Sequence, residues 1–343
     1  DSVILRESLA EHLRAQGASV DAVEDGALAL AYLARYSYDI VILDLMLPKV
    51  DGLRVLREMR ASGAAARVLV LTPYSVVAAI VTCAFPLAAA AALAVPFVAS
   101  GNRRNYFFVL LLVLMGVAEG MVHLDALGWL AVPGWAGIQL GLDGMLFILA
   151  VMAGRVIPMF TNNGVPGAGA LRQPLLERFA LGAVLVLWLA DAMQMPTGIL
   201  VAVSAVACLA HFSRWLLWKP WKTRSVPLVW VLHLAYAWIP VHLALRSMAS
   251  AGWVAPSLAT HALTAGAVGG MVIGMMTRTA LGHTGRMLQA RRTETVCYVL
   301  VGLAAVVRVV LPMVVPAWTV AATLASATLW STGFALYFWS YWP

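Results

Sequence analysis

The chain has 343 residues, of which 62% are hydrophobic and 11% charged. Soluble globular domains average about 45–50% apolar and about 25% charged, so a wholly soluble protein is excluded. The net charge of +7 is carried largely by short polar stretches between apolar blocks, which points to membrane topology and away from nucleic-acid binding. Cys83, Cys208 and Cys297 lie far apart in apolar surroundings, so neither a disulfide framework nor a zinc site is expected. The chain starts at Asp1 without an initiator Met, and is expected to be a piece of a longer protein.

Taken in chain order, Leu5, Leu9 and Leu13 recur every fourth residue before Gly17, predicting a short amphipathic helix. The β-branched run from Ile40 to Leu43 ends at Asp44, and a second run from Arg67 to Leu71 ends at Thr72. Helices alternating with buried strands predict a parallel α/β sheet over residues 1–72, whose functional groups lie at the carboxyl ends of strands. Asp44 stands at such an end.

The stretch from Asp39 to Gly52 (DIVILDLMLPKVDG), with Asp21 to Gly26 (DAVEDG), resembles the receiver domain of two-component response regulators, an α/β flavodoxin-like fold. The resemblance implies Asp44 as phosphoacceptor, Asp1 as a magnesium-binding carboxylate, Thr72 as the switch hydroxyl and a histidine kinase as partner. A carboxylate attacking a phosphoryl group needs a hard cation to screen the charge. By the same resemblance the first strand would precede Asp1, the fifth strand and its Lys have no counterpart after Thr72, and residues 1–72 form a truncated receiver.

From residue 73 the sequence becomes a series of apolar blocks at about 75–98, 106–127, 136–158, 179–195, 197–217, 226–247, 257–277, 295–312 and 317–340, each near the roughly 20 residues that cross a bilayer. An all-α polytopic membrane bundle of eight or nine transmembrane helices is expected, the first block being the weakest because Pro86 and Pro96 interrupt it. Arg103 and Arg104, then Arg172 and Arg178, then Lys219, Lys222 and Arg224, then Arg286, Arg291 and Arg292 fall in every second connection. That alternation places those connections in the cytoplasm, with Arg246 as an exception. It also places Thr72 on the opposite side if the 75–98 block crosses. Ala262, Gly266, Gly270 and Gly274, together with Gly116 and Gly120 and with Gly137 and Gly141, read as small-residue seams where helix backbones approach closely.

Histidine inside a membrane span is costly and marks a candidate functional site, the plain alternative being an imidazole bonded to a carbonyl of a neighbouring helix. At about 1.5 Å per residue with alternating helix directions, His123, His242 and His261 fall near the outer side, and His211, His233 and His283 near the inner side. His261 and His283 are roughly 33 Å apart along a helix and cannot share a metal unless the helix ends between them. Glu119, one turn before His123, could orient that imidazole. Asp143 and Asp191 read as polar glue or interfacial residues. Arg155 and Arg278 lie near inner helix ends, suited to snorkelling.

The segments from Asn102 to Phe108 (NRRNYFF), from Gly154 to Asn162 (GRVIPMFTN), from Leu232 to Trp238 with His233 and Tyr236, from His261 to Gly266 (HALTAG) and from Met276 to Arg286 (MTRTALGHTGR) are similar to the NnrS family. The resemblance covers residues 75–343 and implies a polytopic protein of the bacterial inner membrane, distantly haem-copper-oxidase-like, with haem and copper, linked to nitric oxide. Residues 73–343 would lack that family's first three helices. The resemblance favours His123, His233, His261 and His283 as metal ligands, with Glu119, Arg155 and Arg278 as supporting or propionate-binding residues and His211 and His242 as weaker candidates. The expected function is nitric oxide response or protection, with no turnover reaction expected and no nucleic-acid partner. The alternatives are a haem-copper-type nitric oxide reductase or oxidase-like enzyme, a membrane-bound phosphorelay regulator, and a plain transporter or sensor.

Overall fold

The computed structural model describes residues 2–44, 47, 49–50, 52–64, 66–71, 76–126 and 134–342. The expected magnesium ligand Asp1 and switch residue Thr72 lie outside the described residues. The chain divides into two compact units, one of Asp1–Phe85 with Gly120–Gly134 and one of Pro86–Glu119 with Trp135–Pro343.

The first unit opens with helices α1 (Ser2–Ala15) and α2 (Gly26–Arg35), then strand β1 (Ile40–Asp44), helix α3 (Gly52–Ala61) and strand β2 (Arg67–Leu71). The two strands pair in parallel from Ile40↔Arg67 to Asp44↔Leu71, and among the described residues they are the whole sheet. Leu43, Val55, Met59 and Ala66 are buried. Asp25 caps α2 by accepting from the Leu28 amide at 2.8 Å and pairs with Lys49 Nζ at 2.6 Å. The Lys49 contact and the Leu28 bond hold the Asp25 carboxyl below the usual carboxylate range. A side chain at Gly26 would collide with the Val50 carbonyl, so only glycine lets the turn after β1 close on the start of α2. Tyr38 donates to Asp21 at 2.7 Å, and burial together with that bond pushes its hydroxyl up to about 12.

The membrane-length elements are α4 (Val76–Ala99), α5 (Tyr106–Ala126), α6 (Gly134–Gly164), α7 (Pro174–Ala192), α8 (Thr197–Leu217), α9 (Pro227–Ser250), α10 (Pro256–His261) continuing through a π-helical turn (Ala262–Val268) into α11 (Gly269–His283), α12 (Arg292–Val314) and α13 (Thr319–Tyr341). Among the described residues, eight spans are long and apolar enough to cross a membrane, with Pro256–His283 counted as one. The helix left out is α7, which carries Glu177, Arg178 and Asp191. Pro86 and Pro96 sit inside α4 without breaking it. The predicted blocks therefore all appear as helices.

In the second unit the core is built around α9, where Leu232, Ala235, Tyr236, Ile239 and Leu243 are buried. The small-residue seam explains why α11 can lie so close. A side chain at Gly266 would collide with Trp238, at Gly270 with Ala235, and at Gly274 with Val231 and Leu232, all on α9. The π turn was not foreseen, because ALTAGAV carries no signal that separates a π turn from an α turn. Such turns recur at functional sites.

Candidate metal-ligating histidines

The second unit holds its buried polar groups in two layers, one near the connections rich in Lys and Arg and one near the opposite helix ends. In the basic-side layer, Thr161 lies in the last turn of α6 and His233 in the second turn of α9. The Thr161 hydroxyl donates to the Ile157 carbonyl at 2.8 Å and stands 2.8 Å from His233 Nε2. A hydroxyl has one proton, so with that proton on the Ile157 carbonyl its oxygen accepts, and His233 Nε2 carries the hydrogen. His233 Nδ1 is then a bare lone pair, buried and without a hydrogen-bond partner among the described residues. Trp215 Nε1 donates to the His233 carbonyl at 3.0 Å and fixes this turn of α9. His233 also lines an open surface depression of about 350 Å³ with Trp215, Trp230 and Arg224.

In the opposite layer His242 repeats this logic. Its Nδ1 is 2.7 Å from the Ala259 carbonyl, which can only accept, so Nδ1 bears the proton and the buried Nε2 has no partner among the described residues. A metal-ligating imidazole has the same construction: one nitrogen bonded to a carbonyl or hydroxyl that sets the tautomer and ring direction, the other presenting its lone pair. His242 was the weaker candidate in the sequence because no family-like motif surrounds it, although its spacing of four residues from Arg246 placed both on one face of α9. About 14 Å of helix separates His233 from His242, so one metal ion could not be held by both.

His211, His261 and His283 are engaged differently, whereas His123 shares with His233 a threonine hydroxyl at Nε2. His211 donates Nε2–H to the Ala180 carbonyl at 3.2 Å, accepts at Nδ1 from Tyr236 at 2.6 Å, and is fully used. Its neighbour Arg214 binds Glu177 through Nε at 3.0 Å and Nη2 at 2.6 Å, and Tyr236 through Nη1 at 3.2 Å. His261 Nε2 accepts from Arg308 at 2.8 Å. His123 is buried and bonds Thr82 through Nε2 at 2.7 Å. His283, the last residue of α11, is exposed, and Glu119 is half-buried. Arg155 bonds Asn105 at 3.2 Å, and Arg278 lies over the Phe160 ring at 3.4 Å.

Sequence reading missed the ion pairs that join these helices. Arg246 on α9 bridges Asp143 on α6 and Asp191 on α7, which accounts for its place outside the basic connections: it neutralises buried acids. Among the described residues no group of three or more His, Cys, Asp or Glu side chains converges as a metal site.

The NnrS protein family matches residues 54–343. The chain belongs to the NnrS family. Its helices and this membership make it a multi-pass membrane protein. The response regulator receiver domain matches residues 1–97, so residues 54–97 fit both and the NnrS part carries a receiver domain at its N-terminal side. Over 72 residues the chain is 43% identical to response regulator MprA of Mycobacterium sp. (strain KMS), covering 21% of this chain and 31% of that protein. It is 43% identical to MprA of Mycobacterium leprae (strain TN) over 72 residues, 21% of this chain and 32% of the relative. It is 40% identical to the two-component response regulator PhoP of Pseudomonas aeruginosa over 72 residues, again 21% and 32%. The chain thus spans about a third of the length of these curated relatives. No solved structure matches.

Proposed function

We propose that this NnrS-family protein is a haem- and copper-binding protein of the bacterial inner membrane that takes part in the response to nitric oxide, without turning over a substrate. The observation that carries the reading is two buried imidazole nitrogens, His233 Nδ1 and His242 Nε2, each left with a lone pair and no partner among the described residues while the other ring nitrogen is fixed. Unsatisfied buried polar atoms of this kind need an explanation, and imidazole suits both iron and copper. Haem iron or copper, when bound, supplies the open coordination position that a small diatomic ligand needs. The chain's own part is to fix the ligand nitrogens: Thr161 orients His233, and the Ala259 carbonyl orients His242. His123, His261 and His283 are further candidates, each of which would exchange its present environment for a metal. Arg155 and Arg278 are suited to propionates, Arg278 resting on an aromatic face without a carboxylate partner among the described residues.

The test is metal analysis and an absorption spectrum of the full chain, wild type against His233→Ala and His242→Ala. Each variant is expected to lose part of the bound iron or copper and to alter the spectrum. Full metal with an unchanged spectrum in both variants, at normal membrane insertion, refutes the reading.

A second reading, a membrane phosphorelay regulator partnered by a histidine kinase, is favoured by the receiver match and by Asp44 at the carboxyl end of β1. Magnesium and the phosphoryl group would meet at Asp44, with Asp1 and Thr72 in their receiver roles. Labelling with acetyl phosphate and magnesium, lost in Asp44→Asn, decides it.

A further inference from the structure

Two buried arginines of the helix bundle are matched to carboxylates, Arg214 to Glu177 and Arg246 to Asp143 and Asp191. Arg308 is not. It sits half-buried in α12, six residues before Val314, about 9 Å along the helix from its end. Its Nη1 donates to the Thr323 hydroxyl of α13 and its Nη2 to His261 Nε2 at 2.8 Å. An imidazole nitrogen that accepts is unprotonated, so both partners are neutral. No carboxylate among the described residues pairs with Arg308, and Asp143 and Asp191, two acids of this layer, are taken by Arg246.

A long cationic side chain this near a helix end can reach headgroups by snorkelling. Arg308 is turned between neighbouring helices instead and held there by two of them, which costs desolvation of a full charge without a counterion. The guanidinium has five N–H donors, of which the two bonds above use two. His261, accepting at Nε2, carries its hydrogen on Nδ1 and adds a further donor. His261 also immediately precedes the π turn, Ala262–Val268, which packs on α12; this departure from the α-helical ladder next to an unmatched charge is a second mark of a site.

We propose that Arg308, His261 and Thr323 form a binding site for a small planar monovalent oxyanion in the half of the membrane away from the basic connections. A guanidinium presents parallel N–H groups that match two coplanar oxygens, and a monovalent anion neutralises the site. A phosphate oxygen pair of an anionic lipid shares this chemistry.

The experiment uses the full chain, produced without haem and with copper chelated, its freedom from both checked by absorption spectrum and metal analysis, in phosphatidylcholine nanodiscs titrated with nitrite by calorimetry. Saturable binding of one nitrite per chain is expected, weakened at least about tenfold by Arg308→Gln, weakened by Arg308→Lys, which keeps charge but loses the fork, and unaffected by Arg178→Gln at an exposed cation. No saturable binding, or equal binding by Arg308→Gln, overturns the proposal. Where Arg308→Gln does not fold, wild-type affinity in Arg308→Lys overturns it equally. Repeating the titration in phosphatidylglycerol nanodiscs separates the sources: nitrite binding that persists assigns a free anion, and binding that is competed away in the wild type assigns the lipid phosphate to the same site. The sample holds neither haem nor copper, so His261 is left to Arg308 and failure here is distinguishable from failure of the haem and copper reading.

Discussion

Removing Glu177 should be among the most damaging single changes in the bundle, and removing Arg214 with it should rescue most of the loss. Arg214 is 1% exposed and sends two of its three bonds to Glu177. Charge-assisted hydrogen bonds are worth about 1.5–3 kcal/mol each, and breaking a buried pair from one side costs about 3–5 kcal/mol because the other charge stays behind. The Glu177 side chain is 12% exposed and Arg172 approaches it at 3.9 Å, so some solvent screens the pair and the lower end, about 3 kcal/mol, is expected for Glu177→Ala. Glu177→Ala/Arg214→Met removes both charges and should lie within about 1 kcal/mol of the wild type. Unfolding in mixed detergent micelles by SDS titration, followed by far-UV circular dichroism, gives the three free energies. A single variant that costs less than about 1 kcal/mol, or a double variant no better than the single, would refute the claim that an unmatched buried guanidinium dominates this layer.

Gly154→Ala should destabilise by about 1–3 kcal/mol, because a methyl group there meets the Arg214 guanidinium; the same detergent titration checks it, and an unchanged midpoint speaks against the packing described. The depressed Asp25 carboxyl predicts that the first unit is held by this group above the ordinary carboxylate range near pH 4 and loses its contribution as pH falls through the lower folded value. Lys49→Met should therefore flatten the acid dependence of hydrogen exchange in α2, and identical profiles for the two proteins would count against the pairing. Cysteines placed at Arg103, Arg172, Lys222 and Arg291 should all react from one side of the membrane with an impermeant thiol reagent, and labelling from both sides would overturn the alternation.

What was legible in the sequence is what short-range pattern encodes. β1 and β2 announce themselves by runs of β-branched residues ending at Asp44 and Leu71, and the spans by apolar length. The seam of Gly266, Gly270 and Gly274 was readable because close approach needs small residues on one face, and the structure sets all three against α9. The layering of His211 and His233 on one side and His242 and His261 on the other followed from helix rise and alternating direction, and their partners agree with it. Pairings over long separations were not legible. Asp143 meets Arg246 across 103 positions and Glu177 meets Arg214 across 37, and nothing local to either residue names its partner. The ranking of His242 below His283 failed to anticipate burial for the same reason: His242 is interior and oriented by a carbonyl on α10, whereas His283 ends its helix in the open.

Charge pairing also bears on how many helices cross. A criterion of length and composition passes eight spans and leaves α7 out, since Glu177, Arg178 and Asp191 are counted as if each had to face lipid. Glu177, in the first turn of α7, is met by Arg214 in the last turn of α8, and Asp191, in its last turn, is met by Arg246 near the end of α9. The first pairing requires α7 and α8 to run antiparallel and the second requires α7 and α9 to run the same way. With α8 and α9 both long enough to cross, a helix that matches α9 at its far end and α8 at its near end covers the same depth. The remaining charge, Arg178, is exposed one turn from the basic connection at Arg172, where a long cationic side chain reaches water at little cost. Counting α7 as a crossing is also what keeps Arg172 and Lys222 on one side, so ion pairing and loop charge, which are independent of each other, give the same topology.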